Sequence, residues 1–370
     1  MQSDLTDSPA QVTPAYDHIV AKEAVALAES LLSESLQIKT SAETAQMARV
    51  GQLVQSSQAK SLSMLMTDRL FRSRTAERTA KGWRAILKQV GIGEGFGFWD
   101  RMQLRVGAAA SKYLPGVVMD LVRKRLRNEA RDVILSAEEP NLTDHLASRR
   151  RDGVGLNLNQ LGEAVLGEEQ AANRLEALLA LLNRPDVDYV SVKVSAIFSQ
   201  INLVAPEATL EAIKERLRLL YRAALPERKF VNLDMEEYRD LALTVAAFRE
   251  VLNEPEFKQL PAGLVLQAYL PDSITVQQEL TAWAQERVAG GGERIKVRIV
   301  KGANLAMETV EAELHDWNPA PHRSKHETDA GFRRMLEFAC QPENTKAVRI
   351  GVASHNLFDI ALALVLRSKN

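Results

Sequence analysis

The sequence is poor in the residues that build covalent or metal-held frameworks. It has one cysteine, Cys340, in 370 residues, which excludes an intrachain disulfide and a thiolate metal cluster. A lone thiol fits a reducing compartment, and the expected location is the cytoplasm. No apolar run reaches the roughly 18 residues that a membrane-spanning helix needs. Charge of one sign is also missing. Lysine and arginine total 47 against 48 acidic residues, a formal net charge of -1, so no overall field draws the chain to nucleic acid or to an anionic membrane. Met1–Ala10 is acidic and polar, unlike a secretion signal, so the sequon Asn141-Leu142-Thr143 is not expected to be modified. What remains is 46% hydrophobic and 26% charged, the composition of a soluble globular chain.

Two grammars follow one another along the chain. Residues 1–151 carry helical periodicity and almost no strand signal, with amphipathic helices expected at Tyr16–Ser35, Ser41–Val54, Leu62–Arg72, Thr75–Val90, Phe98–Lys112 and Val117–Ala137. Residues 152–370 alternate strand and helix. The expected strands are Val154–Gln160, Tyr189–Ile197, Phe230–Met235, Gly263–Leu270, Ile295–Lys301 and Val348–Ser354. Such a succession of βα units requires a parallel sheet. Several strands alternate apolar with polar residues: Leu156 and Leu158 against Asn157 and Asn159, Val231 and Leu233 against Asn232 and Asp234, Val297 and Ile299 against Lys296 and Arg298. A doubly wound sheet is buried on both faces and reads as continuously apolar. Alternation instead predicts a (β/α)8 TIM-type barrel, with polar groups gathered at the C-terminal strand ends. About six of its βα units are present.

Several chemical signals are weak. The Gly91–Gly97 run lacks both the spacing and the preceding strand of a dinucleotide loop and reads as an ordinary loop. The basic clusters Arg123–Arg127 and Arg149–Arg151 have acidic neighbours and no aromatic platform, so solvated helix faces explain them without nucleic acid. His315, His322 and His326 fall in what reads as a proline-containing loop, as surface histidines rather than a metal site. The stronger constellation is Lys193, Asp234, Gln267, Arg298, Lys301 and His355, spread over five strand ends. Each alone is an ordinary strand-end polar group. Together they require a compensating ligand, because burying several unpaired charges costs several kcal/mol each.

These residues lie in Leu156–Ala164, Val192–Ala196, Asn232–Glu237, Leu266–Tyr269, Arg298–Ala303 and Ala353–Asn356. In order and spacing these stretches resemble the proline dehydrogenase domain of the bifunctional proline utilization A flavoenzymes, from about Leu114 onward. The resemblance implies non-covalent FAD at the C-terminal ends of the barrel strands. It implies oxidation of L-proline to Δ1-pyrroline-5-carboxylate, with electrons passed to a membrane quinone. Gln267, Arg298, Lys301, Gly302 and His355 would then contact FAD, Lys193 would meet the proline carboxylate, and Asp234 would hold the substrate site together. Access to a quinone allows peripheral association with the inner membrane. An aldehyde dehydrogenase domain would accompany the barrel in the intact protein.

Two departures stand out. Asn304 occupies a position where many relatives have tyrosine, and Asn370 falls within the helix after the sixth strand. Two further strands and a final helix with paired arginines would complete the family pattern, so a fragment is the expectation, ahead of a degenerate paralogue. The rival activities are a Schiff-base aldolase or lyase acting through Lys193 or Lys301, and an inert barrel remnant serving as an interaction module.

Overall fold

The structure, a computed structural model, describes residues 18–69, 75–92, 96–130, 135, 137–160, 165 and 167–370. The middle of the glycine loop, Gly93–Gly95, and the end of the first quoted motif, Leu161–Ala164, lie outside the described residues. The chain divides into two compact units, one of residues 34–145 and one of residues 146–370 with the start of the first helix.

The N-terminal region contains helices α1 (His18–Ile38), α2 (Ser41–Gln55), α3 (Ser57–Arg69), α4 (Ala76–Val90), α5 (Phe98–Ala110) and α6 (Pro115–Ala130). The α4 stripe Thr79, Ala80, Trp83, Ile86 and Leu87 has the three- and four-residue spacing of a buried helical face. It packs with Leu62 and Met66 of α3 and with Val118 and Met119 of α6. Thr75 caps the start of α4 by accepting from the Arg78 N–H. A further helix, α7 (Asn141–Arg151), was not anticipated from periodicity. It buries only Leu142 and Leu146 of its 11 residues, too sparse a stripe to read. Arg149, Arg150 and Arg151 fill its last turn, where cations offset the helix dipole. Arg149 and Arg150 also pair with Asp152 and Asp188.

The second unit runs β1 (Leu158–Asn159), α8 (Glu168–Leu182), β2 (Tyr189–Lys193), α9 (Val194–Ile197), α10 (Pro206–Ala224), β3 (Phe230–Asp234), α11 (Leu241–Asn253) and β4 (Ala262–Gln267). It continues with α12 (Ser273–Ala289), β5 (Ile295–Val300), α13 (Leu305–His315), α14 (Lys325–Ala339), α15 (Pro342–Thr345), β6 (Val348–Ala353) and α16 (Leu357–Lys369). All neighbouring strands pair in parallel, in the order β1-β2-β3-β4-β5-β6. A doubly wound sheet reverses its strand order at a switch point. This one does not, and it forms a partial TIM-type barrel with its crossovers built from helices.

The register places Lys193 beside Asp234 and Val265 beside Arg298. In β5 the expected alternation is plain: Ile295, Val297 and Ile299 are buried, while Lys296, Arg298 and Val300 are half-buried. Strand β4 is buried at all six positions. A Cβ at Gly263 would come within 2.6 Å of the Lys296 carbonyl oxygen, so β4 needs a residue without a side chain there.

Three expectations are corrected. The first strand has two residues rather than seven. The second strand stops at Lys193, because residues 194–197 form the helical turn α9, with Val194 and Ile197 buried. Residues three apart share a side of a helix, which the apolar run had disguised as strand. The segment after the fifth strand is also not one histidine-bearing loop. His315 ends α13 and stacks on Trp317 at 4.5 Å, and His326 lies in α14. The start of α14 is fixed by a reciprocal capping box between Ser324 and Glu327.

Candidate active site

Asp234, at the C-terminal end of β3, organises the sheet interior. One carboxylate oxygen receives Arg298 Nη2 from β5 at 2.5 Å and Asn232 Nδ2 at 2.9 Å, and the other receives Asn159 Nδ2 from β1 at 3.0 Å. On β2, Ser191 Oγ accepts from Asn157 at 2.8 Å and from Asn232 at 3.4 Å. Four strands are thus laced by one polar network. It retains spare capacity: Arg298 Nε and the side-chain oxygens of Asn157 and Asn232 are buried without a hydrogen-bond partner among the described residues.

A second cluster centres on Glu236, in the loop after β3. Its carboxylate accepts from Lys193 Nζ at 2.8 Å and from Ser195 Oγ at 2.6 Å. Burial disfavours the charge on Glu236, but hydrogen bonds from Lys193 and Ser195 outweigh it and hold its pKa below the ordinary carboxylate value. The Glu236 backbone carbonyl accepts from Gln267 Nε2 at 3.3 Å and from Asn304 Nδ2 at 2.8 Å. One residue therefore joins Lys193 of β2 to Gln267 of β4. Gln267 is 2% exposed, and its Oε1 is buried with no hydrogen-bond partner among the described residues. Asn304, the departure from the family pattern, acts here as a tie between the β5 and β3 loops.

Lys301 stands apart from Arg298. Alternation along a strand turns successive side chains to opposite faces, and Lys301 points toward the helices. Its ammonium meets Asp329 of α14 at 2.5 Å and Asp359 of α16 at 2.7 Å, with the Phe332 ring 5.5 Å away. Gly302 follows with φ +124°, and a Cβ there would come within 2.6 Å of the Tyr269 ring. The glycine is thus required by close packing on Tyr269, with the backbone in a conformation that side chains rarely adopt. His355 is exposed and makes no hydrogen bond or ion pair among the described residues. Lys296 serves the far end of β5, over the rings of Tyr189 and Phe230 at 4.9 and 5.5 Å.

The structure therefore joins Asp234 to Arg298 directly and Lys193 to Gln267 through Glu236, and it sets Lys301 in a network of its own. Glu236, Asp329 and Asp359 escaped the sequence analysis as ion-pair partners. Glu236 could have been suspected, two positions beyond Asp234. Asp329 and Asp359 could not, because both come from crossover helices. No group of three or more His, Cys, Asp or Glu side chains among the described residues could hold a metal ion.

Parallel strands in sequential order, with ionised side chains at their C-terminal ends, define a barrel of the kind that carries its active site at that face. The family model for proline dehydrogenase matches residues 142–370, and the chain belongs to that family. Among solved structures, proline utilization A (PutA) from Corynebacterium freiburgense is 45% identical over 75% of this chain and 28% of its own, with a TM-score of 0.64. PutA from Bdellovibrio bacteriovorus, inactivated by N-propargylglycine, is 26% identical over 95% of this chain and 36% of its own, with a TM-score of 0.77. A Bradyrhizobium japonicum PutA mutant, at 19% identity and a TM-score of 0.59, shares the fold. The chain thus spans about a third of the length of these relatives. No curated protein matches it.

Proposed function

We propose that this chain binds FAD and oxidises L-proline to Δ1-pyrroline-5-carboxylate, with the electrons passing on to a quinone. The observation that carries this is the pair of unused groups at the strand ends. Gln267 Oε1 is a buried acceptor and Arg298 Nε a buried donor, and leaving such groups unpaired is costly. A flavin ring carries both N–H and acceptor atoms, so Gln267 and Arg298 fit the cofactor and would hold it. Lys301, Gly302 and His355 would complete its contacts.

When bound, FAD supplies the acceptor for the hydride leaving the carbon next to the proline nitrogen. The chain's residues bind and orient. Lys193, held by Glu236, offers its ammonium to the proline carboxylate. Asp234 keeps the Arg298 guanidinium turned inward and holds the interior network together. The Schiff-base alternative needs an uncharged lysine. Lys193 is ion-paired, and although burial opposes the charge on Lys301, its two carboxylate partners raise its pKa. Among the described residues no helix is long and apolar enough to cross a membrane. In this proposal the chain works in the cytoplasm and meets quinone at the membrane surface, and an aldehyde dehydrogenase domain takes up its product.

The test is visible absorbance and fluorescence of FAD titrated into the purified intact protein that carries this chain, followed by anaerobic addition of proline. A shifted flavin band and altered flavin fluorescence on binding, followed by bleaching with proline, are expected, as is irreversible modification by N-propargylglycine. Bound flavin that ignores both compounds would overturn the substrate. Absence of flavin binding would overturn the whole proposal.

A further inference from the structure

We propose that Asp329 and Asp359 are positioning residues for the cofactor: together they aim the Lys301 ammonium so that its remaining N–H meets the flavin diphosphate. This rests on the FAD-binding function proposed above and assigns roles to two residues outside the strand motifs.

An ammonium has three donors. Two are used, one by Asp329 Oδ1 at 2.5 Å and one by Asp359 Oδ2 at 2.7 Å. The two carboxylates come from different helices, so the lysine sits where α14 and α16 converge on the end of β5. Each carboxylate is itself anchored. Lys325 Nζ donates to Asp329 Oδ2 at 2.7 Å, and Ser354 Oγ donates to Asp359 Oδ2 at 2.9 Å. Behind the ammonium lies the Phe332 ring. A flexible lysine is in this way held at a fixed point with one N–H to spare. Its side chain keeps 23% exposure, so Lys301 is not sealed off from solvent.

Asp359 has no exposed side-chain surface, and a buried carboxylate persists only where a cation compensates it. Arg333 is 3.8 Å away, its Nε buried without a hydrogen-bond partner among the described residues. Lys301 is therefore the close cation for Asp359. Burial alone would push the Lys301 pKa down, and the hydrogen bonds of Asp329 and Asp359 reverse that. The charged groups around it are Asp329, Lys325 and Arg333 on α14 and Asp359 on α16. With both carboxylates in place Lys301 stays cationic through the neutral and mildly alkaline range. With one removed, burial gains ground.

The experiment is titration of the 370-residue chain with FAD and with riboflavin, which lacks the phosphates, across pH, for the wild type, Asp359→Asn and Asp329→Asn. Asp359→Asn is expected to lose FAD affinity by about tenfold, the effect of one charge-assisted hydrogen bond, and to bind riboflavin as the wild type does. Its FAD affinity should also start to fall at a lower pH. Asp329→Asn should shift both in the same direction. It perturbs a less buried site and decides the matter if Asp359→Asn fails to fold. Wild-type FAD affinity and pH profile in the folded variants would overturn the proposal. So would equal losses for FAD and riboflavin, which mark a merely structural role. Wild-type protein that binds no FAD would instead sink the function on which the proposal rests.

Discussion

Asp234 is 8% exposed, and both its oxygens are engaged by side chains from other positions of the sheet. Removing a partner of such a carboxylate leaves a buried charge uncompensated, at a cost of about 3–5 kcal/mol. Arg298→Ala should therefore lower stability by about that much in urea unfolding and also weaken FAD binding; unchanged flavin affinity would remove Arg298 from the cofactor site. Asp240 shows the opposite electrostatics. Burial, and then the nearby Glu237 charge, raise its pKa from 3.8 to about 6, and its Oδ1 has no hydrogen-bond partner among the described residues. Because the folded state holds the proton more tightly than the unfolded chain, ionised Asp240 opposes folding. That cost grows between its unfolded and folded pKa values and is complete above the higher one. Asp240→Asn should stabilise the protein by about 2–3 kcal/mol near pH 8 and by almost nothing near pH 4. A gain that persists in acid would refute this account.

Helix α14 carries Asp329 toward the sheet, and its start depends on the Ser324–Glu327 capping box. Ser324→Ala should cost about 1 kcal/mol. Faster amide exchange confined to the first turn of α14 would locate the loss. A loss spread over the whole sheet would contradict a local cap. The β2–α9 junction has a further consequence at this scale. The strand ends at Lys193 and the chain turns at once into α9, and from this junction Lys193 and Ser195 both donate to the Glu236 carboxylate.

Across the whole molecule, cofactor binding must appear as stability, since a ligand that binds only the folded state shifts unfolding by mass action. FAD at about 100 times its dissociation constant should add about 2.7 kcal/mol, read as a rise in melting temperature. Residues 34–145 form a compact unit of their own and contain none of the proposed flavin contacts. Hydrogen exchange should accordingly show protection by FAD in residues 146–370 and little in that unit. Protection centred on residues 34–145 would place the flavin elsewhere.

The sequence by itself determined the βα alternation, five of the six strands to within a few residues, and the interior face of β5. Periodicity and polar alternation are local properties of the chain. It also marked the residues whose motifs place the chain in its family. Only the tertiary structure decided which of those residues meet. Arg298 and Lys301 are three positions apart in one motif, yet Arg298 turns inward to Asp234 while Lys301 turns outward to Asp329 and Asp359. The physical reason is that an ion pair is set by where helices and neighbouring strands deliver their carboxylates, and the partners of Lys301 lie 28 and 58 residues further along the chain. Local pattern reports the face a side chain occupies; the packing of distant segments chooses its partner.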